Sequence, residues 1–193
     1  EETLKIYPYR FVLAVTYSLE GSKVITSYKV VNHNDDEMLF SIGGHPAFNC
    51  PMVEGTSFDD YFLEFEVEET PKQLHLNTDT GLRNGRSTVV PSLKKMDLDY
   101  ALFKNDAVIF ERLKSKTVVL KSNKHQHGLK FGFEGWKYLA FWTKKEGTPF
   151  VCIEPWRGIT DHDDSNQTYE EKLGIEKIAQ GDKFELNYTI ELF

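Results

Sequence analysis

The chain has 193 residues, enough for about one domain, and its 40% hydrophobic and 27% charged residues describe a globular chain and not a disordered one. Lysine and arginine number 23 against 30 aspartates and glutamates. The resulting net charge of −7 argues against a phosphate-backbone binder, and no apolar run approaches the roughly 18 residues of a membrane helix.

The opening Glu1-Glu2-Thr3-Leu4 lacks the basic start and apolar middle of a secretory signal and reads as leading straight into strand-like sequence. Phe11, Leu13, Val15, Tyr17 and Leu19 fall on alternate positions, the period of a half-buried strand. Glu20-Gly21-Ser22 is a turn, and Val24, Tyr28 and Val30 resume the alternation, so residues 10–31 read as a hairpin. His33 to Asp36 turns the chain into Met38-Leu39-Phe40, and Tyr61, Leu63 and Phe65 alternate with Glu64 and Glu66. Residues 67–100 are broken by Pro71, Asn77, Gly81, Asn84, Gly85 and Pro91 and read as loops of the kind that rim a site. Short strands follow at Val108–Phe110, Thr117–Leu120, Leu129–Phe131 and Tyr138–Trp142. Residues 165–176 hold one short helical turn at most, and Phe184, Leu186, Tyr188, Ile190 and Leu192 give the clearest alternation. No window sustains a 3.6-residue period. The expected fold is therefore all-β, an antiparallel sandwich or barrel, as one domain over residues 1–193.

Three stretches carry potential chemistry. In Gly43-Gly44-His45-Pro46 two glycines let the backbone approach a neighbour closely, and the histidine titrates near neutrality. A hydrogen-bonded loop histidine is the alternative. In Cys152-Ile153-Glu154-Pro155-Trp156 an apolar strand ends in a carboxylate beside an indole. Glu154 there is either a base or a solvated charge, and Trp156 either stacks on a sugar face or sits in the core. Asp106, before the strand Val108–Phe110, is either an acceptor for two sugar hydroxyls or an ordinary turn residue. His125 and His127 share a strand face at a hairpin end but lack a third ligand at a telling spacing. Cys50 and Cys152 show no metal-type spacing and read as reduced thiols of a cytoplasmic protein.

Taken in order, Thr3-Leu4-Lys5-Ile6-Tyr7-Pro8, Phe40 to Asn49, Cys152 to Trp156 with Gly158 and Asp161, and Lys172-Leu173-Gly174-Ile175 with Gly181 resemble the aldose 1-epimerase (galactose mutarotase) family, nearest its bacterial lactose-operon protein X branch. The resemblance implies a large β-sandwich with a sugar site on a concave sheet. It assigns His45 as general acid, Glu154 as general base and Asp106 as a holder of sugar hydroxyls, with Trp156 lining the site. The implied activity is an isomerase that interconverts the α and β anomers of a free hexose such as galactose or glucose, without metal or cofactor and without nucleic-acid or membrane partners. The alternative is a non-catalytic carbohydrate-binding or regulatory module on the same fold. A phosphorylated hexose would need basic residues at the site, and Arg157 is the sequence neighbour available. Family chains carry further strands before this region, so the resemblance implies the C-terminal two-thirds of a member, with an unpaired sheet edge and self-association.

Overall fold

The computed structural model describes residues 2–144 and 146–193. It opens on a single helical turn, α1 (Thr3–Ile6), closed by the Tyr7 amide on the Thr3 carbonyl, where strand-like sequence was expected. The helical turn has a local cause. The Tyr7 hydroxyl donates to the Leu39 carbonyl and its ring meets Tyr9 and Phe11 edge-on, so the chain folds back onto the body before extending.

The expected hairpin forms as β1 (Phe11–Glu20) and β2 (Lys23–Asn32), paired antiparallel over all ten positions, with Gly21 at φ +60 in the turn. Three short strands follow: β3 (Met38–Phe40), β4 (Ile42–Gly43) and β5 (Ala47–Asn49). Next come β6 (Tyr61–Glu69), β7 (Lys72–Leu76), β8 (Arg83–Val89) and β9 (Leu93–Asp97). The last three occupy the stretch expected to be loops. Five of the seven β8 residues are exposed, Gly85 sits inside it at positive φ, and the β7–β8 register shifts between Leu74 and Leu76. These strands exist through backbone pairing to neighbours, without the apolar alternation that advertises a strand. The remainder are β10 (Val108–Glu111), β11 (Thr117–Ser122), β12 (Leu129–Gly132), β13 (Tyr138–Trp142), β14 (Phe150–Arg157), β15 (Glu176–Ile178) and β16 (Lys183–Leu192). One 3₁₀ turn, Tyr169–Glu171, falls in the window that had room for one.

The strands form two large antiparallel sheets. One runs β1-β2-β16-β12-β11-β6-β9; the other runs β4-β14-β13-β10-β7-β8, with β5 also paired to β14, while β15 pairs with β3. Phe65, Phe131 and Tyr188 from the first sheet pack against Phe110, Phe141 and Ile153 from the second. Phe65 meets Phe110 and Phe141 edge-on at 6.2 and 6.1 Å between centroids. The fold is an all-β sandwich whose core lies between these inner faces.

The link from β10 to β11 crosses between the sheets and is held by a buried carboxylate. Glu69, 1% exposed, accepts the Lys114 amide at 2.9 Å and the Ser115 amide at 2.5 Å. By contrast β1 stands at a sheet edge with nine of its ten residues exposed, Tyr17 and Leu19 among them. Both cysteines are free and buried, and burial pushes each thiol up to about 12. No helix among the described residues is long and apolar enough to cross a membrane.

Candidate active site

Strand β14 organises the site. Its side chains alternate: Val151 and Ile153 enter the core between the sheets, whereas Cys152, Glu154 and Trp156 lie on the other face. That outer face is itself apolar. Leu74, Ile109 and Ala140 run across β7, β10 and β13 in register and end at Glu154, so the carboxylate closes a row of hydrocarbon.

The same strand brings in the histidine. Gly43 pairs with Trp156 and Ala47 pairs with Cys152; counting inward from both pairs places His45 opposite Glu154. The intervening residues leave regular pairing but stay tethered, the Gly44 amide to the Pro155 carbonyl at 3.0 Å and the Ile153 amide to the Pro46 carbonyl at 3.3 Å. The two glycines make the approach possible. A Cβ on Gly43 would stand 2.7 Å from the Trp156 ring, and one on Gly44 would stand 2.7 Å from the Tyr188 ring.

His45 Nε2 lies 3.5 Å from Glu154 Oε1. The two side chains differ sharply in environment: the imidazole is 64% exposed and the carboxylate 5%. Burial pushes the Glu154 carboxyl up to about 7, against the attraction of His45 and a polar contact from the Trp156 side chain; the charge of Asp106 adds to the rise. Cys152 lies beside this pair, and single donor atoms of His45, Cys152 and Glu154 fall within 4.8 Å of one another.

The pair opens into a cavity of about 650 Å³, the size of a small-molecule site, lined also by Asp106, Trp142, Trp156 and Lys172. Asp106 has the turn geometry its sequence allowed, its Oδ1 accepting the Ala107 amide at 2.8 Å, and it also lines the cavity. Its φ of 75 is a left-handed conformation rare outside glycine, the kind of backbone strain that concentrates at functional sites. His45, Asp106 and the Glu154–Trp156 pair, from three separated stretches of the chain, thus share one cavity.

Trp142 and Lys172 are among the lining residues that the sequence did not mark as site residues. Trp142 stands at the end of β13, its ring 6.0 Å from that of His45 and edge-on to it; another indole at a strand end, like Trp156, was the available signal. Lys172 pairs with Asp161 at 3.0 Å on the cavity wall. Arg157 is not part of the lining. It reaches Glu176 at 3.6 Å and covers the Phe184 ring, which removes the basic neighbour considered for a sugar phosphate. His125 does not stand free at a hairpin end either: its Nε2 is 2.8 Å from the Tyr61 hydroxyl, which also accepts the Met52 amide.

The sequence matches the aldose 1-epimerase family over residues 1–176. It is 36% identical over 194 residues to the chromosomal protein LacX of Lactococcus lactis subsp. lactis, an alignment that takes in 99% of this chain and 65% of that protein. A galactose mutarotase related enzyme from Lactobacillus acidophilus superposes on the whole chain with a TM-score of 0.92 at 29% identity, using 65% of its own length. A galactose mutarotase-like protein from Lactobacillus casei ATCC 334 does so with a TM-score of 0.84 at 30% identity and 66% of its length. The chain thus spans just under two thirds of the length of these relatives.

Proposed function

Because the chain belongs to the aldose 1-epimerase family, we propose that its cavity binds a free hexose and that His45 and Glu154 interconvert the α and β anomers by general acid–base catalysis. The observation that carries this reading is the 3.5 Å approach of an exposed imidazole to a buried carboxylate at the floor of the cavity. The two groups are neighbours and do not flank a ring from opposite sides. That spacing suits the hydroxyl oxygen and the ring oxygen of a hemiacetal, which are bonded to the same carbon.

In the forward direction the Glu154 carboxylate takes the proton of the anomeric hydroxyl. The bond between the anomeric carbon and the ring oxygen breaks, a carbonyl forms, and the ring oxygen takes a proton from the His45 imidazolium. Rotation about the bond to the next carbon turns the other carbonyl face to the hydroxyl. On closure His45 recovers its proton and Glu154 returns one to the carbonyl oxygen. A base whose pKa has been brought to about 7 is well matched to work near neutrality. Asp106 accepts hydrogen bonds from sugar hydroxyls, and Trp142 and Trp156 offer indole faces to the apolar side of the ring.

The test is polarimetry of freshly dissolved α-D-glucose and α-D-galactose, where the protein is expected to hasten the approach to anomeric equilibrium. Binding of either sugar, read from tryptophan fluorescence, without any acceleration would favour a carbohydrate-binding module instead. The pH dependence is specific. Glu154 must be ionised to act, so the acid limb of kcat/KM, measured with a chelator present, is expected to bend near pH 7 and not near the 4.5 of an ordinary glutamate. A profile flat from pH 4 to pH 8, a range chosen to span both values, would exclude Glu154 as the base.

A further inference from the structure

We infer that His45, Cys152 and Glu154 also form a three-ligand site for zinc, and that the ion, when bound, silences the proton-transfer pair. The effect on activity rests on the acid–base reading; the site itself does not.

The donor set comes first. An imidazole, a thiol and a carboxylate lie with single donor atoms within 4.8 Å of one another, the only such trio of metal-binding side chains among the described residues. Imidazole, thiolate and carboxylate are the ligands zinc takes, whereas calcium and magnesium prefer sites built of oxygen alone. Cys152 and Glu154 are two apart on β14 and face the same way, and His45 closes on them from the loop opposite. Acid–base catalysis makes no use of the thiol, so its place in the trio calls for separate explanation.

The geometry needs one adjustment. Zinc bonds of about 2.0–2.3 Å put tetrahedral ligand atoms roughly 3.5 Å apart, the spacing His45 and Glu154 already have, and a separation at the 4.8 Å limit would have to shrink by about an ångström. Cys152 and Glu154 are buried, whereas His45 is mostly exposed and free to swing inward. The fourth position then faces the cavity, open to water, as at three-ligand zinc sites in general. Charge also balances: one thiolate and one carboxylate neutralise the dication. Binding releases the thiol proton to solvent, so zinc is held less tightly as pH falls. The bound ion occupies the His45 nitrogen and the Glu154 oxygen, and neither can then exchange a proton with a sugar.

Cobalt(II) is the probe, added to protein freed of metal by a chelator and then dialysed. One equivalent is expected to give the near-ultraviolet absorption of a thiolate–cobalt bond, which added zinc abolishes. Zinc is expected to inhibit anomer exchange, and chelator to restore it. Cys152→Ser is expected to retain zinc-free exchange within a few-fold and to lose the cobalt band. Its half-inhibiting zinc concentration should rise at least about tenfold, the scale on which even residues behind the ligands weaken metal sites. Cys152→Ala, with folding checked by circular dichroism, must lose the band too. No band in the parent protein, or the same band in both variants, overturns the inference. If exchange is absent even without metal, the acid–base reading fails while the cobalt spectrum still decides the site.

Discussion

Replacing Glu154 by glutamine is expected to lower kcat/KM for anomer exchange about 10²–10⁴-fold while raising the stability of the fold above neutral pH. The two effects share one cause. Glu154 is buried against the row of Leu74, Ile109 and Ala140, and burial lifts its carboxyl from 4.5 to about 7. Between those values the folded state holds a proton that the unfolded chain has released. Stability contributed by this group is therefore full below pH 4.5, declines as pH rises, and is fully lost above about 7. The shift corresponds to a cost on the order of 3 kcal/mol at pH 8, which glutamine, uncharged at every pH, avoids apart from what its amide fails to hydrogen-bond. At about 2–4 °C per kcal/mol, Tm at pH 8 should rise by several degrees, with little change at pH 4. Thermal melts at both pH values, set beside polarimetric rates, check this. Loss of activity together with loss of stability at pH 8 would make Glu154 a structural residue.

Glu69→Leu is expected to do the reverse: to cost about 3–6 kcal/mol of stability without entering the site chemistry. The Glu69 carboxylate accepts the backbone amides of Lys114 and Ser115, in the segment that carries the chain from β10 in one sheet to β11 in the other. Each is a hydrogen bond to a charged group, worth about 1.5–3 kcal/mol, and leucine leaves both amides without an acceptor. Nearby, the Ser115 hydroxyl accepts the Val67 amide at 3.2 Å, and Glu66 accepts the Lys116 amide at 2.9 Å, so β6 holds this crossing segment at several points. Glu69→Gln keeps one acceptor oxygen and should lose roughly half as much. Denaturant midpoints for the two variants separate the cases. A Glu69→Leu protein as stable as the parent would show that the segment is held by packing instead.

What could be read from the chain, and what could not, follows from burial. Strands β2 and β16 were legible because their apolar residues alternate with polar ones, and β1 alternates likewise, although it is exposed on both faces and not half-buried as that pattern suggests. Strands β7 to β9 were not, because β8 is mostly exposed and offers no periodic pattern. Trp142 escaped notice for the opposite reason. In β13 Leu139 and Phe141 face one core while Tyr138 and Ala140 face apolar surface on the other side, so Tyr138-Leu139-Ala140-Phe141-Trp142 reads as an undivided apolar run. Glycine, histidine, proline and glutamate marked the two candidate stretches, but their meeting depends on β4 and β5 both choosing β14 as partner. Strand pairing across a hundred residues leaves no local trace. The same holds for Cys152, which owes its place beside His45 to that register.

The placement of β1 sets an order in which the molecule opens. Its ten residues pair only with β2 among the described residues, and side chains on both of its faces meet water. Amides on its outer edge have no strand partner and should exchange with deuterium at nearly the rate of an unfolded peptide. Those turned toward β2 need only the peeling of one strand, an event with little apolar area to lose. Amides of β11 and β13 lie in the middle of their sheets beneath fully buried side chains such as Leu120, Leu139 and Phe141, and exchange only when the whole sandwich comes apart. Strand β1 is thus a fraying border of its own sheet, and the cavity lies on the sheet that does not contain it.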